Sequence, residues 1–261
     1  MKWLLISLMA LSANAGAAPL RTAAQTEAEP KFIAGDHYGE PIVQGLCIDI
    51  FRAIEKVDDE LRFTGDQHWS PSARIEANLN AGVLDVACGM IKTPQRQDHL
   101  LLEPALFTLQ YVLLARADDT VAVSRWQDIV QMGGENVVLS LNGSGPSHQL
   151  STIPALRIDA GSASVRQNLH KLLIGRGRFF YYRSPATHPL IREYCARHQV
   201  RVLPGVMLQA HTYMLIGQHL PPATVQRLST ALHKLKDNGE LDQLAKKWKV
   251  SGNSNFCQSA K

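Results

Sequence analysis

The chain has 261 residues, 45% of them hydrophobic and 19% charged, which is an ordinary globular composition and enough length for one large domain or two smaller ones with cores of their own. Its formal charge of +4 comes from 27 basic residues spread along the chain. With no block of five or more like charges, nucleic acid is not expected as a partner.

The first 17 residues read as a secretory signal peptide. Lys2 precedes an apolar run from Trp3 to Leu11, and "ANA" at 13–15 or "AGA" at 15–17 offers an A-x-A cleavage site. The run is too short to span a bilayer, and no second segment approaches that length, so a mature chain in the periplasm without a membrane span is expected. Four cysteines, Cys47, Cys88, Cys195 and Cys257, suit an oxidising compartment and favour two disulfides, with three pairings open. Cys195 and His198 form at most half a metal site, so no metal is expected.

Residues 18–30 are polar and small and read as a disordered lead. "KFIAG" (31–35) reads as the first strand, "GLCIDIFRAIEKV" (45–57) as a helix with Ile48, Phe51, Ile54 and Val57 on one face, and "LRFTG" as a second strand. "SPSARIEANLNAG" (70–82) carries helix punctuation, with Ser70 as N-cap, Pro71 at the first helical position and Gly82 as the stop. "VLDVACG" reads as a third strand. This alternation predicts a helix-covered α/β sheet. A second set follows: the strand "QYVLLARADD" (110–119), a short helix, the strand and glycine turn "NVVLSLNGSGPSHQL", a helix over 161–177, the strand "RFFYYR" (178–183), a helix from Pro189 to Arg197 and the strand "AHTYMLIG" (210–217). The chain closes on two amphipathic helices, with Val225, Leu228, Leu232 and Leu235 on one and Leu241, Leu244 and Trp248 on the other, separated at Asn238-Gly239.

Catalytic sets are scarce. There is no HExxH, P-loop or GxGxxG, and the histidines form no i,i+4 pair, so no cofactor is expected. Binding features are better. Ligands of open α/β sheets sit at the carboxyl ends of strands. That singles out Asp36 and His37 in "GDHY", His68 and Trp69 in "GDQHW", and Gly89, Thr93 and Arg96 in "GMIKTPQR". In "NGSGPS", Ser144 and Gly145 enter a helix whose backbone N–H groups could hold an anion.

This order of features resembles type II periplasmic solute-binding proteins, in the family 3 branch that includes polar amino-acid-binding proteins. "GLCIDIFRAI" is similar to the family's pattern around an acidic position, here Asp49. "RIEANLNAGVLDVACGMIKTPQR" is similar to its L-x-x-G-x-x-D run and T-p-e-R turn, matched by Leu79, Gly82, Asp85, Thr93, Pro94 and Arg96. "ALHKLKDNGELDQLAKKW" is close to its terminal helices. The resemblance implies two α/β lobes, each a helix-covered mixed sheet, joined by two crossing strands: lobe 1 over 31–112 plus 213–250, lobe 2 over 113–212, and a tail over 251–261. It implies a monomer that closes on a small-molecule ligand and serves a transporter or an envelope sensor. It also implies a disulfide from Cys195 to Cys257, which leaves Cys47 with Cys88. Arg96 inherits the role of clasping a ligand carboxylate. The lobe-2 acid that would take an α-ammonium has no counterpart, because no Asp or Glu lies between Asp159 and Glu193. Tyr181 and Tyr182 stand on that strand instead. The expected ligand is therefore anionic or carboxylate-bearing and not a standard α-amino acid held in the usual way. Two alternatives stay open. One is a dehydratase-like enzyme using Asp36, His37 or His68. The other is a degenerate member that binds a protein partner.

Overall fold

The computed structural model describes residues 18–96, 100–183, 188–250 and 257. The secretion signal read over 1–17, and all of the 251–261 tail except Cys257, lie outside them.

The lead is ordered, contrary to expectation. β1 (Leu20–Arg21) pairs in parallel with β5 (Phe63–Thr64), and β2 (Ala24–Gln25) with β6 (Trp69–Ser70). The Leu20 N–H donates to the Arg62 carbonyl at 2.7 Å and the Thr22 N–H to the Thr64 carbonyl at 2.9 Å. Leu20, Thr22, Ala23, Ala24 and Ala28 are buried. A glycine on the partner segment permits the close approach of the lead's backbone: a Cβ at Gly65 would lie 2.4 Å from the Thr22 carbonyl oxygen. The pairing with β2 also draws Ser70 into a strand, so the next helix starts after Pro71 instead of being capped by Ser70.

"KFIAG" is not the first strand of a parallel sheet. It enters β3 (Ile33–His37), which forms a hairpin with β4 (Glu40–Gln44). α1 (Leu46–Val57) then buries Leu46, Ile50, Phe51 and Ile54, each such side chain contributing about 1.5–3 kcal/mol of apolar burial. α2 (Ser72–Asn80) buries Ile75 and Leu79 and leads into β7 (Val86–Ile91), which is buried throughout. Asp49 on α1 accepts from Lys247 Nζ and Trp248 Nε1, both at 2.7 Å, fastening the C-terminal segment to the first helix.

Two 17-residue strands, β8 (Leu100–Arg116) and β12 (Val200–Ile216), run antiparallel along most of their length. β7 joins one end of this ribbon, pairing with β12. At the other end β11 (Phe179–Arg183) pairs with β8, followed by β9 (Val137–Leu141) and β10 (Arg157–Ser162). The helices at that end are α3 (Trp126–Val130), α4 (Gly145–Leu150), α5 (Val165–Leu173) and α6 (Pro189–Ala196). The chain returns through α7 (Pro222–Asp237) and α8 (Glu240–Lys247), separated by Gly239 in the left-handed region. Cys47 is joined to Cys88 and Cys195 to Cys257.

Asp85, just before β7, holds the lead in place. Its carboxylate accepts from the Arg21 backbone N–H at 2.7 Å, from Arg21 Nε at 2.9 Å and Nη2 at 2.7 Å, and lies 2.7 Å from His219 Nε2. Burial works against the charge, but the hydrogen bonds from Arg21 and His219 overcome it and hold the Asp85 pKa at about 2 against the usual 3.8. A depressed folded-state pKa contributes stability above the unfolded value that is lost as pH falls through the folded one. After discounting for solvent screening at the half-exposed Arg21, this is worth about 1–2 kcal/mol. The wild type should therefore lose about that much more unfolding free energy between about pH 4 and pH 2 than Asp85→Asn does. Parallel denaturation curves for the two proteins would contradict it. Removing the Cys47–Cys88 bridge, which closes a sequence separation of 41, should cost about 2–4 kcal/mol in urea unfolding of Cys47→Ala/Cys88→Ala. A loss under about 1 kcal/mol would count against a role in stability.

Candidate functional site

Gly89 has φ 73° within β7, and a Cβ there would lie 2.5 Å from the Cδ of Lys31, so only glycine lets Lys31 pass beneath the strand. Beyond Ile91 the chain makes a single 3-10 turn over Pro94–Arg96. This turn swings the Arg96 side chain back inside, where it is 3% exposed. Its Nη1 donates to the Ile91 carbonyl at 2.7 Å and its Nη2 to Glu76 Oε1 on α2 at 2.5 Å, while Nε has no partner. Arg96 is thus an ion-paired staple between α2 and the turn after β7, with Nη1 and Nη2 engaged and Nε left over.

The opposite wall comes from the far end of the ribbon. After β9 the chain turns through Asn142 and Gly143. Ser144 caps α4, donating from Oγ to the Leu141 carbonyl at 2.9 Å and accepting from the Ser147 N–H at 3.3 Å. Gly145 lies against the arginine, since a Cβ there would be 2.9 Å from Arg96 Nη1. β11 supplies Tyr181, Tyr182 and Arg183. Tyr181 packs on Tyr111 of β8 with ring centroids 5.5 Å apart. Burial raises the pKa of Tyr111, Tyr181 and Tyr182, so their hydroxyls stay protonated.

The third wall is the lead. Arg183 donates to the carbonyls of Glu27 and Glu29 and pairs with the Glu29 carboxylate at 3.2 Å, and the Tyr182 hydroxyl donates to the Glu27 carbonyl at 3.3 Å. The Glu27 carboxylate faces His188 Nε2 at 3.4 Å. Burial opposes its charge, but His188, a backbone N–H and Arg183 outweigh that and lower its pKa. Glu27, Glu29 and His188 are close enough to hold a metal ion, and Arg183 already pairs with Glu29 within this cluster. Lys31 completes the wall, buried and donating from Nζ to Gln25 Oε1 at 2.6 Å and to the Gly89 carbonyl at 3.1 Å.

These walls surround a partly enclosed cavity of about 60 Å³, room for a few waters or a compact solute. Of the residues singled out from the sequence, Gly89, Arg96, Ser144, Gly145, Tyr181 and Tyr182 line it. Thr93 is buried in the adjoining turn with its hydroxyl unpartnered. Trp69 is half-exposed in a neighbouring groove beside Glu27 and His188. Asp36 and His37 lie outside the cavity, on the exposed β3–β4 hairpin, where Asp36 Oδ1 accepts from the Gly39 N–H at 2.9 Å and shapes the turn. The strand-end rule holds for β7, which brings Gly89 and Arg96 to the cavity, and fails for β3. In place of β3 it is β2 whose carboxyl end reaches the cavity, delivering Gln25 and Glu27. Lys31, Glu76 and Arg183 were also missed. Arg183 was visible as the last residue of a buried aromatic strand. Lys31 was hidden because its strand was misplaced.

The model of bacterial extracellular solute-binding proteins, family 3, matches residues 20–251. No curated protein matches the sequence. Among solved structures, the chain is similar to the amino acid ABC transporter substrate-binding protein AbpA from Streptococcus pneumoniae bound to L-arginine, at 16% identity and TM-score 0.70 over 90% of this chain and 96% of that one. It is similar to a putative L-cystine ABC transporter protein from Listeria monocytogenes, at 19% identity and TM-score 0.68 over 91% and 98%. It is also similar to the ancestral amino acid-binding protein AncCDT-1, a precursor of cyclohexadienyl dehydratase, at 20% identity and TM-score 0.65 over 88% and 94%. At such identities these likenesses speak to the fold, which is the two-lobed type II periplasmic-binding fold with the long ribbon crossing between lobes. With the family model covering nearly all of the described residues, the chain belongs to the bacterial extracellular solute-binding proteins, family 3.

Proposed function

We propose that this protein is a periplasmic, non-enzymatic solute-binding protein that holds a small anionic or carboxylate-bearing metabolite in the cavity between its lobes, as a monomer that delivers it to a transporter or an envelope sensor. The observation that carries the reading is the gathering of three buried cationic side chains, Lys31, Arg96 and Arg183, on one cavity. An α-ammonium brought to these walls would meet cations, and the nearest carboxylates, Glu27, Glu29 and Glu76, already have basic partners. Desolvating such a group without a counterion is costly. The family and the N-terminal export pattern support the compartment. The enzymatic alternative is not favoured, because Asp36, His37 and His68 are exposed and line no part of the cavity.

In this reading the ligand carboxylate competes with Glu76 for the fork of Arg96. A thermal-shift screen of small carboxylates, phosphate esters and amino acids should give its largest shifts with anions lacking an α-amine. Arg96→Ala, checked for folding by circular dichroism, should weaken the best anion by about 10–100-fold, the worth of a charge-assisted pair. Glu76→Gln should tighten it by releasing the fork. Tight binding of an ordinary amino acid that survives Arg96→Ala would overturn the reading. A screen in which no metabolite raises the melting temperature would point instead to a protein partner.

A further inference from the structure

We propose that Lys31 is a ligand-contacting, specificity-determining residue whose ammonium takes the negative group of the bound solute as its counterion. The inference deepens the reading above and rests on it.

Each of the other two cations on the cavity has an acidic partner: Glu76 for Arg96 and Glu29 for Arg183. Lys31 has none among the described residues. Its Nζ is met by two neutral oxygens, Gln25 Oε1 and the Gly89 carbonyl, and an ammonium carries three N–H donors. One donor direction is left for a group that the protein does not supply. The side chain cannot withdraw, because it is packed beneath Gly89, where even a Cβ would collide with its Cδ. An amine fixed at a cavity wall, short of one acceptor and one negative charge, is a receptor for a small anion.

The charged neighbours reinforce this. Arg96 faces the cavity from the turn after β7 and Arg183 from β11. Glu76 on α2 is the acid that acts on Lys31, through space. Glu27 on the lead is turned to His188, and the tyrosines of β8 and β11 are held neutral. Burial, then the charges of Arg183 and Arg96, push the Lys31 pKa well below the lysine range, and Glu76 opposes them only in part. An arriving anion supplies the missing countercharge, so binding draws a proton onto Lys31. A neutral solute gains nothing there, and a zwitterion brings its own cation into a cationic wall.

The test is calorimetry of malonate, succinate and pyruvate, from about pH 6 to 9, in two buffers of different ionisation enthalpy. Wild-type protein should take up as much as one proton per carboxylate bound. Its Kd should rise by about tenfold per pH unit above the pKa of the empty site. Lys31→Met, which keeps the buried stem, should fold with an equal or higher Tm, bind at least tenfold more weakly and show no proton uptake. If Lys31→Met binds within twofold of wild type with the same proton uptake, the assignment of Lys31 is overturned while carboxylate binding through the cavity stands. If no anion in the wider thermal-shift screen binds the wild type, the functional reading falls and takes this inference with it.

Discussion

The antiparallel pairing of β8 with β12 is the constraint on which the site depends. Its register sets Thr212 opposite Phe107; the flanking pairings then set Ile91, at the end of β7, opposite Thr212 and Arg183, at the end of β11, opposite Tyr111. The last residues of β7 and β11 therefore lie four positions apart along β8, about 13 Å at the rise of a strand. Leu109 and Tyr111, between or beside those positions, line the cavity floor. Strand register thus sets the spacing of the strand ends on which the walls of the site are built. A one-residue slip would turn Tyr111 away from Tyr181 and carry Arg183 off the lead.

The lead converts this two-walled cleft into a cavity with a third side. Its strands are short, but it is tied down by backbone pairing at β5 and β6 and by Asp85 on Arg21. Beyond Gln25 it crosses to the far end of the ribbon, where its carbonyls, and not its side chains alone, satisfy the buried guanidinium of Arg183. The acid absent from β11 is thus supplied from another segment, and it serves to balance an arginine. That explains how β11 can end in a cation inside the protein without a carboxylate of its own.

What was legible in the sequence follows from which signals are local. α1, α2, α7 and α8 announce themselves by apolar periodicity, α2 and α7 also by the glycines that follow them, and the spacing from Leu79 to Arg96 marks the turn that enters the cavity. The lead was not legible, because a parallel strand of alanine and threonine has neither alternation nor bulk, and its partners lie some forty residues away in sequence. Missing it displaced the first strand: Asp36 and His37 lie on the hairpin, while Gln25, Glu27 and Lys31 line the cavity. The partner of Arg96 was equally hidden. A neighbour in the same turn is the natural guess from sequence, whereas Glu76 reaches it from α2, twenty residues earlier.

This division between paired and unpaired cations bears on what the cavity can select. An arginine already bonded to a carboxylate offers a solute an exchange: the incoming anion must displace or share a strong partner, so part of the gain is offset and the remainder depends on geometry. A buried lysine with only neutral acceptors offers no such competition, and its charge state is itself coupled to occupancy. The two kinds of cation then divide the work. Arg96 and Arg183, paired with Glu76 and Glu29, hold the walls together and keep the cavity electropositive around Lys31. Lys31 leaves the electrostatic deficit that a solute can fill. A site built this way discriminates by charge first and by shape second, because the penalty for leaving that deficit open falls on neutral and cationic solutes whatever their fit.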